Sequence, residues 1–226
     1  MATFPGYTGL DSFLRWLQPH LPECPEHLVI DTLRETCIEF CNETEYWQES
    51  LIPTALIEGV RDYWLEPINA PSFTEVVRPL SLSVESSQIE PVEEATLADM
   101  DPRWREREGF PRRYVVVQGG EIVLDRAPYA GATTNKLRGT LALKPGKDAD
   151  SVPKWFYDDF NETLVQGTLY RLLRIRNKEW SDMEGSQLAY GMYTKGVNMA
   201  RARRFHAEGR GSQRARGRRF LARGNR

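Results

Sequence analysis

The stretch Pro153–Arg204 decides the fold, and it reads PKWFYDDFNETLVQGTLYRLLRIRNKEWSDMEGSQLAYGMYTKGVNMARARR. Its spacing predicts two long helices joined by a short turn. Ser151 stands where an N-cap is expected and Pro153 at the first helical position. Serine oxygens accept from the unpaired N–H groups of a first turn, and proline lacks the N–H that would be unpaired there. The second helix is predicted to begin near Asp182.

The first of these helices is apolar over a wide arc. Its apolar residues recur at three- and four-residue steps and are Phe156, Phe160, Leu164, Val165, Leu169, Leu172 and Leu173. A single packed stripe needs a narrower arc. We therefore expect burial on more than one side, in a core or between subunits, with Val165 as the candidate residue for subunit packing.

The second helix carries a seam of small residues that only Tyr193 interrupts. Gly185, Ala189, Gly196 and Ala200 recur close to the helical period. A glycine inside a helix costs up to ~1 kcal/mol relative to alanine, so close approach of another helix is the natural compensation. Two interpretations stay open: a helical hairpin inside one domain, or a helix contact between subunits.

The preceding residues predict helices and then short strands. A short helix is expected at Gly9–Gln18 and a longer one from Glu26 to about Trp47. Prolines and glycines then punctuate strand-like segments, with a glycine pair at the turn of one hairpin. These segments are 54–57, 63–65, 73–84, 113–118, 121–125 and 137–144, with a helical turn near 93–100.

The expected fold class is α+β and mainly α: a helical bundle with an inserted small β subdomain and an extended C-terminal tail. The expected parts are N-terminal helices of the bundle at 1–50, a β-rich insertion at 51–146, a C-terminal helical hairpin at 147–206, and an arginine-rich tail at 207–226.

The amino-acid composition limits the classes of protein to which the chain can belong. The chain has 226 residues, 40% of them apolar and 27% charged, as in soluble globular proteins. No apolar run reaches the roughly 18 residues of a membrane span, so no membrane partner is expected. The first residues lack the basic and apolar regions of a signal peptide. Three cysteines argue against a disulfide framework.

Charge is distributed unevenly along the chain. Residues 201–226 contain ten arginines, no lysine and one acid, Glu208, and so carry +9. The total of −2 therefore leaves −11 on residues 1–200. Arginine pairs geometrically with carboxylates and phosphates, so the tail predicts an anionic partner; a solvated tail is the alternative. The candidate portal- or DNA-contacting residues are Arg201, Arg203, Arg204, Arg210, Arg214, Arg216, Arg218, Arg219, Phe220 and Arg223.

Catalytic and metal-binding patterns are weak. Cys24, His27, Cys37 and Cys41 offer four soft ligands, but the last two fall in an apolar helix stripe, where cysteine is typical of a core. The sequence has no GxSxG, HExxH or GxxxxGK[ST] motif. We expect no enzyme activity, no metal and no cofactor, and an enzyme hypothesis has no residue to name.

The chain resembles the head-to-tail adaptor (connector) proteins of tailed bacteriophages, especially short-tailed ones. The resemblance covers about residues 25–206 and begins with PEHLVIDTLRETCIEFCNETEYWQE. Its most specific part is an ordered series after the strands: Leu143, Lys144, Pro145, Asp148, Pro153, Trp155, Gly167, Leu169, Arg171, Leu172, Trp180 and Asp182.

The resemblance implies a structural virion protein at the head–tail junction, assembled in the host cytoplasm. It implies a homo-oligomeric ring of about twelve copies. The ring would bind the portal protein, offer a platform for a tail or nozzle protein, and extend the channel through which genomic DNA passes. The C-terminal arginines would reach the portal or DNA. The alternative function is a nucleic-acid-binding protein that uses this tail.

Overall fold

The computed structural model describes residues 6–132 and 135–212. Its helices are α1 (Leu14–Leu17), α2 (Glu26–Thr44), α3 (Glu94–Met100), α4 (Lys154–Leu173) and α5 (Met183–Ser212). Its strands are β1 (Tyr7–Gly9), β2 (Gln48–Ser50), β3 (Thr54–Ala55), β4 (Asp62–Trp64), β5 (Thr74–Val84), β6 (Ser87–Pro91), β7 (Arg113–Gln118), β8 (Glu121–Leu124), β9 (Lys136–Pro145) and β10 (Ser151–Pro153). Short 3₁₀ turns flank α1 at Leu10–Phe13 and Gln18–His20.

Helices α2, α4 and α5 pack against one another as one layer. The predicted long helix is confirmed as α2, which ends at Thr44 because Glu45 adopts a left-handed conformation with φ of 48°. The expected start of α4 is one residue early, since the helix begins at Lys154 and not at Pro153. Ser151 lies in β10, which pairs with β1, and Pro153 is the N-cap residue.

The predicted β segments join into one large sheet. Its strand order is β2-β9-β5-β6-β7-β8-β4, with β3 also paired to β9. The sheet is mixed, because β6 and β7 are parallel and the other neighbours antiparallel. The predicted hairpin is confirmed as β7–β8, and Gly119 has the positive φ, 57°, that its turn requires.

The sheet curls until its two ends meet. Leu51, just after β2, bridges Pro67, just after β4. The N–H of Ile52 donates to the carbonyl of Glu66 at 2.8 Å, and the N–H of Ile68 donates to the carbonyl of Ser50 at 2.9 Å. These bonds satisfy backbone groups that an open sheet edge would expose.

The expected helical bundle with a small β subdomain is therefore wrong. The protein has a sheet-rich α/β fold, 43% helical and 27% strand, built on a large curled mixed sheet. The segment predicted at 73–84 is confirmed as β5, which runs through Pro79 because register shifts beside it act as bulges. One buried cluster of apolar residues includes side chains from α2, α4, α5 and the sheet.

The small-residue seam packs inside the chain, as the hairpin interpretation predicted. A Cβ on Gly196 would lie 2.2 Å from the Thr163 hydroxyl of α4. Tyr193 is buried against Gly167, where a Cβ would lie 2.7 Å from its ring. Val165 is only 7% exposed within the single chain, so its side chain already lies in the core.

Among the described residues, none of the helices has the length and apolarity needed to cross a bilayer.

Candidate partner-binding surface at the end of the last helix

The last helix is longer than the helix it packs on. α5 has 30 residues, about 45 Å of helix, whereas α4 has 20, about 30 Å. Ala200 is fully buried. The helix then continues for twelve residues, roughly 18 Å, to Ser212. Phe205, in this segment, is 74% exposed. We call residues 201–212 the α5 extension.

Two arginines hold the base of the α5 extension to the end of α2. Arg201 donates from Nε to the carbonyl of Glu43 at 2.9 Å, and from Nη2 to its carboxylate at 3.0 Å. Arg204 donates to the carboxylate of Glu45 and, at 3.3 Å, to the carbonyl of Thr44. The arginines thus bond carbonyls at the negative end of α2, where cations are favoured.

Glu45 joins the α5 extension to the sheet. Its side chain is 12% exposed and accepts hydrogen bonds from both Arg204 and Arg78 of β5. The Arg78 Nη2 lies 2.9 Å from the carboxylate. Partial burial acts to raise the pKa of this carboxyl, but the bonds and charges of Arg78 and Arg204 outweigh it, so the pKa lies below its usual value. Glu45 therefore stays ionised at neutral pH.

The structure locates three of the predicted contact arginines. Arg201 and Arg204 are paired with acids of the same chain, and Arg203 lies with its guanidinium 5.9 Å from the Phe160 ring centroid. Arg210 lies within the residue range of α5. The other predicted contact residues lie outside the described part of the chain: Arg214, Arg216, Arg218, Arg219, Phe220 and Arg223.

Sequence reasoning missed the acids that receive these arginines. Glu43 and Glu45 lie about 160 residues from Arg201 and Arg204 in the chain, so no local pattern links each acid to its arginine. The acidic residues at the end of α2 are the one feature of the sequence that indicated a basic partner.

The considered metal ligands do not converge. In residues 6–132 and 135–212, no group of three or more His, Cys, Asp or Glu side chains could hold a metal ion. Cys37 and Cys41 are fully buried, and burial raises the pKa of both thiols far above the usual value. A buried thiol that does not ionise is a poor ligand and a poor nucleophile.

We expect Glu45→Gln to lower the free energy of unfolding at pH 7 by about 1–2 kcal/mol, less than a buried ionic contact because Arg78 is half exposed. Since the folded pKa is depressed, this contribution is full above the unfolded pKa and is lost as pH falls toward the folded pKa. Urea denaturation of both proteins at pH 7 and near pH 3 would measure it.

The control is Glu43→Gln, whose ion pair with Arg201 is exposed on both sides and should be worth less than about 1 kcal/mol. A Glu45→Gln deficit that is the same at both pH values would contradict the ionic explanation.

Comparison with known proteins adds no family: no protein-family model matches the chain, and no curated protein matches it.

Proposed function

We propose that this chain is a non-enzymatic structural protein of a tailed-bacteriophage virion, a head-to-tail adaptor that forms a ring between portal and tail. The sequence resemblance to connector proteins motivates this proposal. The observation that carries it furthest is the α5 extension, a helical segment that Arg201 and Arg204 bond to the end of α2 and that is followed in sequence by the arginine-rich tail. The α5 extension, and not a helical-bundle fold, supports the adaptor function.

The α5 extension suits insertion into a second protein. Helix-in-groove docking uses an exposed helix with apolar anchors, and Phe205 offers a large apolar side chain near its start. The ion pairs of Arg201 and Arg204 fix the start of the α5 extension against the end of α2. A preorganised element loses less conformational entropy on binding, so the portal is the partner we assign to this end.

The charge distribution fits a position on a DNA channel. Residues 1–200 carry a net −11. A negative surface repels the phosphate backbone, so DNA would pass through the ring without adhering to it. The tail or nozzle protein would bind the opposite end of the ring.

We expect a chain ending at Ser212 to keep the thermal midpoint of the full chain but to bind the portal at least about tenfold more weakly. Cutting after Ser212 leaves α5 whole. Light scattering of full and shortened chains, each alone and mixed with the portal ring from the same genome, measures both mass and complex formation. Portal binding unchanged by the truncation would contradict the role given to the tail.

The matched control replaces Arg214, Arg216, Arg218 and Arg219 with lysine. This variant keeps the charge but removes the planar fork that pairs bidentately with carboxylates. Portal binding should weaken in this variant, because the proposed contact depends on geometry. A contact that depends only on net charge would leave it unchanged.

Nucleic-acid binding is the second candidate, favoured by the ten arginines of residues 201–226. Against it, Arg201 and Arg204 already pair with Glu43 and Glu45, and the body is acidic. This function predicts that duplex DNA binds the full chain with an affinity that falls steeply with salt, by about 0.9 in log–log slope per phosphate neutralised. The lysine variant would then bind DNA as well as the original.

A further inference from the structure

The exposed face of β4 carries an acidic row of side chains with a tryptophan at its centre. Asp62, Trp64 and Glu66 are exposed, whereas Tyr63 and Leu65 between them are buried. Side chains at two-residue steps along an extended segment share one face, so the three exposed side chains form a row. Trp64 is 66% exposed, so its ring is open to solvent. We call Asp62, Trp64 and Glu66 the acid–Trp stripe.

A further carboxylate lies beside the tryptophan. Glu121 of β8 is the direct antiparallel partner of Trp64, and the Cβ atoms of such partners lie about 4.5–5.5 Å apart. A tryptophan ring among carboxylates suits a guanidinium, because the planar cation stacks on the indole face while its N–H groups donate to the carboxylates. The chemistry of this surface therefore favours arginine as its ligand.

The acid–Trp stripe borders a cleft of about 730 Å³, whose lining combines residues 64–67 with residues 74–77 at the start of β5. Lys144, a basic residue in this lining, is already paired with Glu75 at 3.3 Å. Within the part of the chain that the structure describes, the buried hydroxyl of Thr74 in the same lining has no hydrogen-bond partner. A buried polar group without a partner costs free energy, which a bound peptide group recovers. The cleft thus offers both acidic charge and an unsatisfied hydroxyl to a basic peptide.

The cleft lies next to the helix end that holds the α5 extension. Asn42 lines the cleft, and the following residue, Glu43, accepts hydrogen bonds from Arg201. From Arg201 to Ser212 the helix rises about 17 Å. The fourteen residues 213–226 span up to about 46 Å when extended. This last part of the chain is therefore long enough to return from the end of α5 to the cleft.

The arginine-rich tail also has the matching charge and spacing. Residues 214–218 read RARGR, so three arginines recur at two-residue steps with no acid between them. The acid–Trp stripe has the same two-residue step. Extended segments place such residues about 6.4–6.8 Å apart on one face, so each arginine can meet one residue of the stripe. Charge and spacing together identify this segment as the occupant that fits the stripe.

We propose that the RARGR segment, residues 214–218, folds back onto the acid–Trp stripe of its own chain. In this contact Arg216 stacks on the Trp64 indole, and the arginines on either side of it pair with Asp62 and Glu66. A tethered segment acts at an effective concentration of roughly millimolar, so the chain's own tail outcompetes a free basic peptide at micromolar concentration. The inference goes beyond the proposed function, because it gives the tail a site on the chain itself whether or not a portal later binds the tail.

Limited trypsin digestion of the full chain, without portal or DNA, tests the contact. Trypsin cleaves after arginine where the segment is open, so the cleavage rate follows the population of released tail. Intact-mass spectrometry gives the initial rates of cleavage after Arg214, Arg216 and Arg218. We expect Trp64→Ala to raise these three rates about threefold to tenfold, because it removes the ring on which the central arginine stacks. Cleavage after Arg223, which lies beyond the contact, should hardly change.

A second variant removes the charges of the stripe and keeps its ring. Asp62→Asn combined with Glu66→Gln should raise the same rates about threefold. Added salt should bring the original chain toward this variant, because salt screens exposed ion pairs. Both variants should keep the thermal midpoint of the original, since the substituted side chains are exposed.

The matched control is Trp16→Ala. It removes another exposed tryptophan, 48% exposed on α1, whose ring already has the guanidinium of Arg15 at 5.2 Å from its centroid. Because this ring is not part of the stripe, the three cleavage rates should equal those of the original chain.

Equal cleavage rates in the original chain, in Trp64→Ala and in the doubly substituted chain would overturn the inference. Protection that rises with protein concentration over a roughly hundredfold range would also overturn it, because a tail bound to a neighbouring copy depends on concentration and a tethered one does not. Portal binding does not enter the measurement. A failure of this contact therefore leaves the adaptor function standing, and a failure of portal binding leaves this contact standing.

Discussion

Replacing Phe156 with alanine is expected to lower the free energy of unfolding by about 3–5 kcal/mol, the usual cost of deleting a large buried ring. Phe156 is fully buried at the start of α4. Its ring centroid lies 6.0 Å from that of Phe40 in α2 and 6.0 Å from that of Trp47, which leads into β2. Trp47 in turn approaches Tyr7 of β1 at 6.3 Å.

Because this aromatic cluster joins helices to strands, the substitution should destabilise the helices and the sheet together. Urea unfolding followed by far-ultraviolet circular dichroism reports the helices, and hydrogen exchange at the amides of β7 and β8 reports the sheet. The two transitions should coincide and shift together, as in two-state unfolding. A sheet that stays protected after the helices have melted would show that the β part is stable by itself.

The control for this substitution is Phe205→Ala. It removes the same ring from a position that is 74% exposed, where substitutions usually change stability by less than about 0.5 kcal/mol. A large loss of stability from the control would mean that Phe205 is covered in solution, for example by a second copy of the chain.

A second large effect is expected at the crossing of α4 with α2 and α5. A Cβ on Gly167 would lie 2.6 Å from the methyl of Thr36 and 2.7 Å from the ring of Tyr193. Carbon atoms pack best about 3.5–4.0 Å apart. We therefore expect Gly167→Ala to cost about 1–3 kcal/mol of stability, although alanine is the better helix former.

Replacing Gly191 with alanine should instead raise the stability of the protein. An added Cβ there meets nothing within 4 Å, on the exposed side of α5. Gly191→Ala should stabilise the protein by up to ~1 kcal/mol through helix propensity. Thermal and urea unfolding of the two variants measure the difference. A Gly167→Ala protein at least as stable as the original would mean that Tyr193 can move aside and that α4 and α5 need not approach so closely.

Local patterns predicted the long helices and six of the strands, but they missed β1, β2, β6 and β10. Residues 26–44 form a helix because their apolar positions recur at helical spacing, and 113–124 form a hairpin because Gly119 accepts a positive φ. The small-residue seam predicted close helix packing, since Gly196 leaves room for the side chain of Thr163 on α4. These features depend on residues near each other in sequence, so they could be read without a structure.

The architecture could not be read in this way. The segment 73–84 was predicted as one strand-like stretch, but the register shifts against β9 on either side of Pro79 could not be predicted from it. The joining of the sheet ends at Leu51 and Pro67 depends on strands far apart in sequence order, which local periodicity does not encode. The expected bundle was wrong because the helical layer shares one core with a large curled sheet instead of forming a bundle beside a small β subdomain.

The sequence by itself determined the helices, the turn glycines and the split between an acidic body and an arginine-rich end, because each follows from composition or short-range spacing. Only the tertiary structure decided which arginines already form ion pairs with acids of the same chain. Arg201 and Arg204 pair with Glu43 and Glu45 because the crossing of α5 over the end of α2 brings together groups about 160 residues apart.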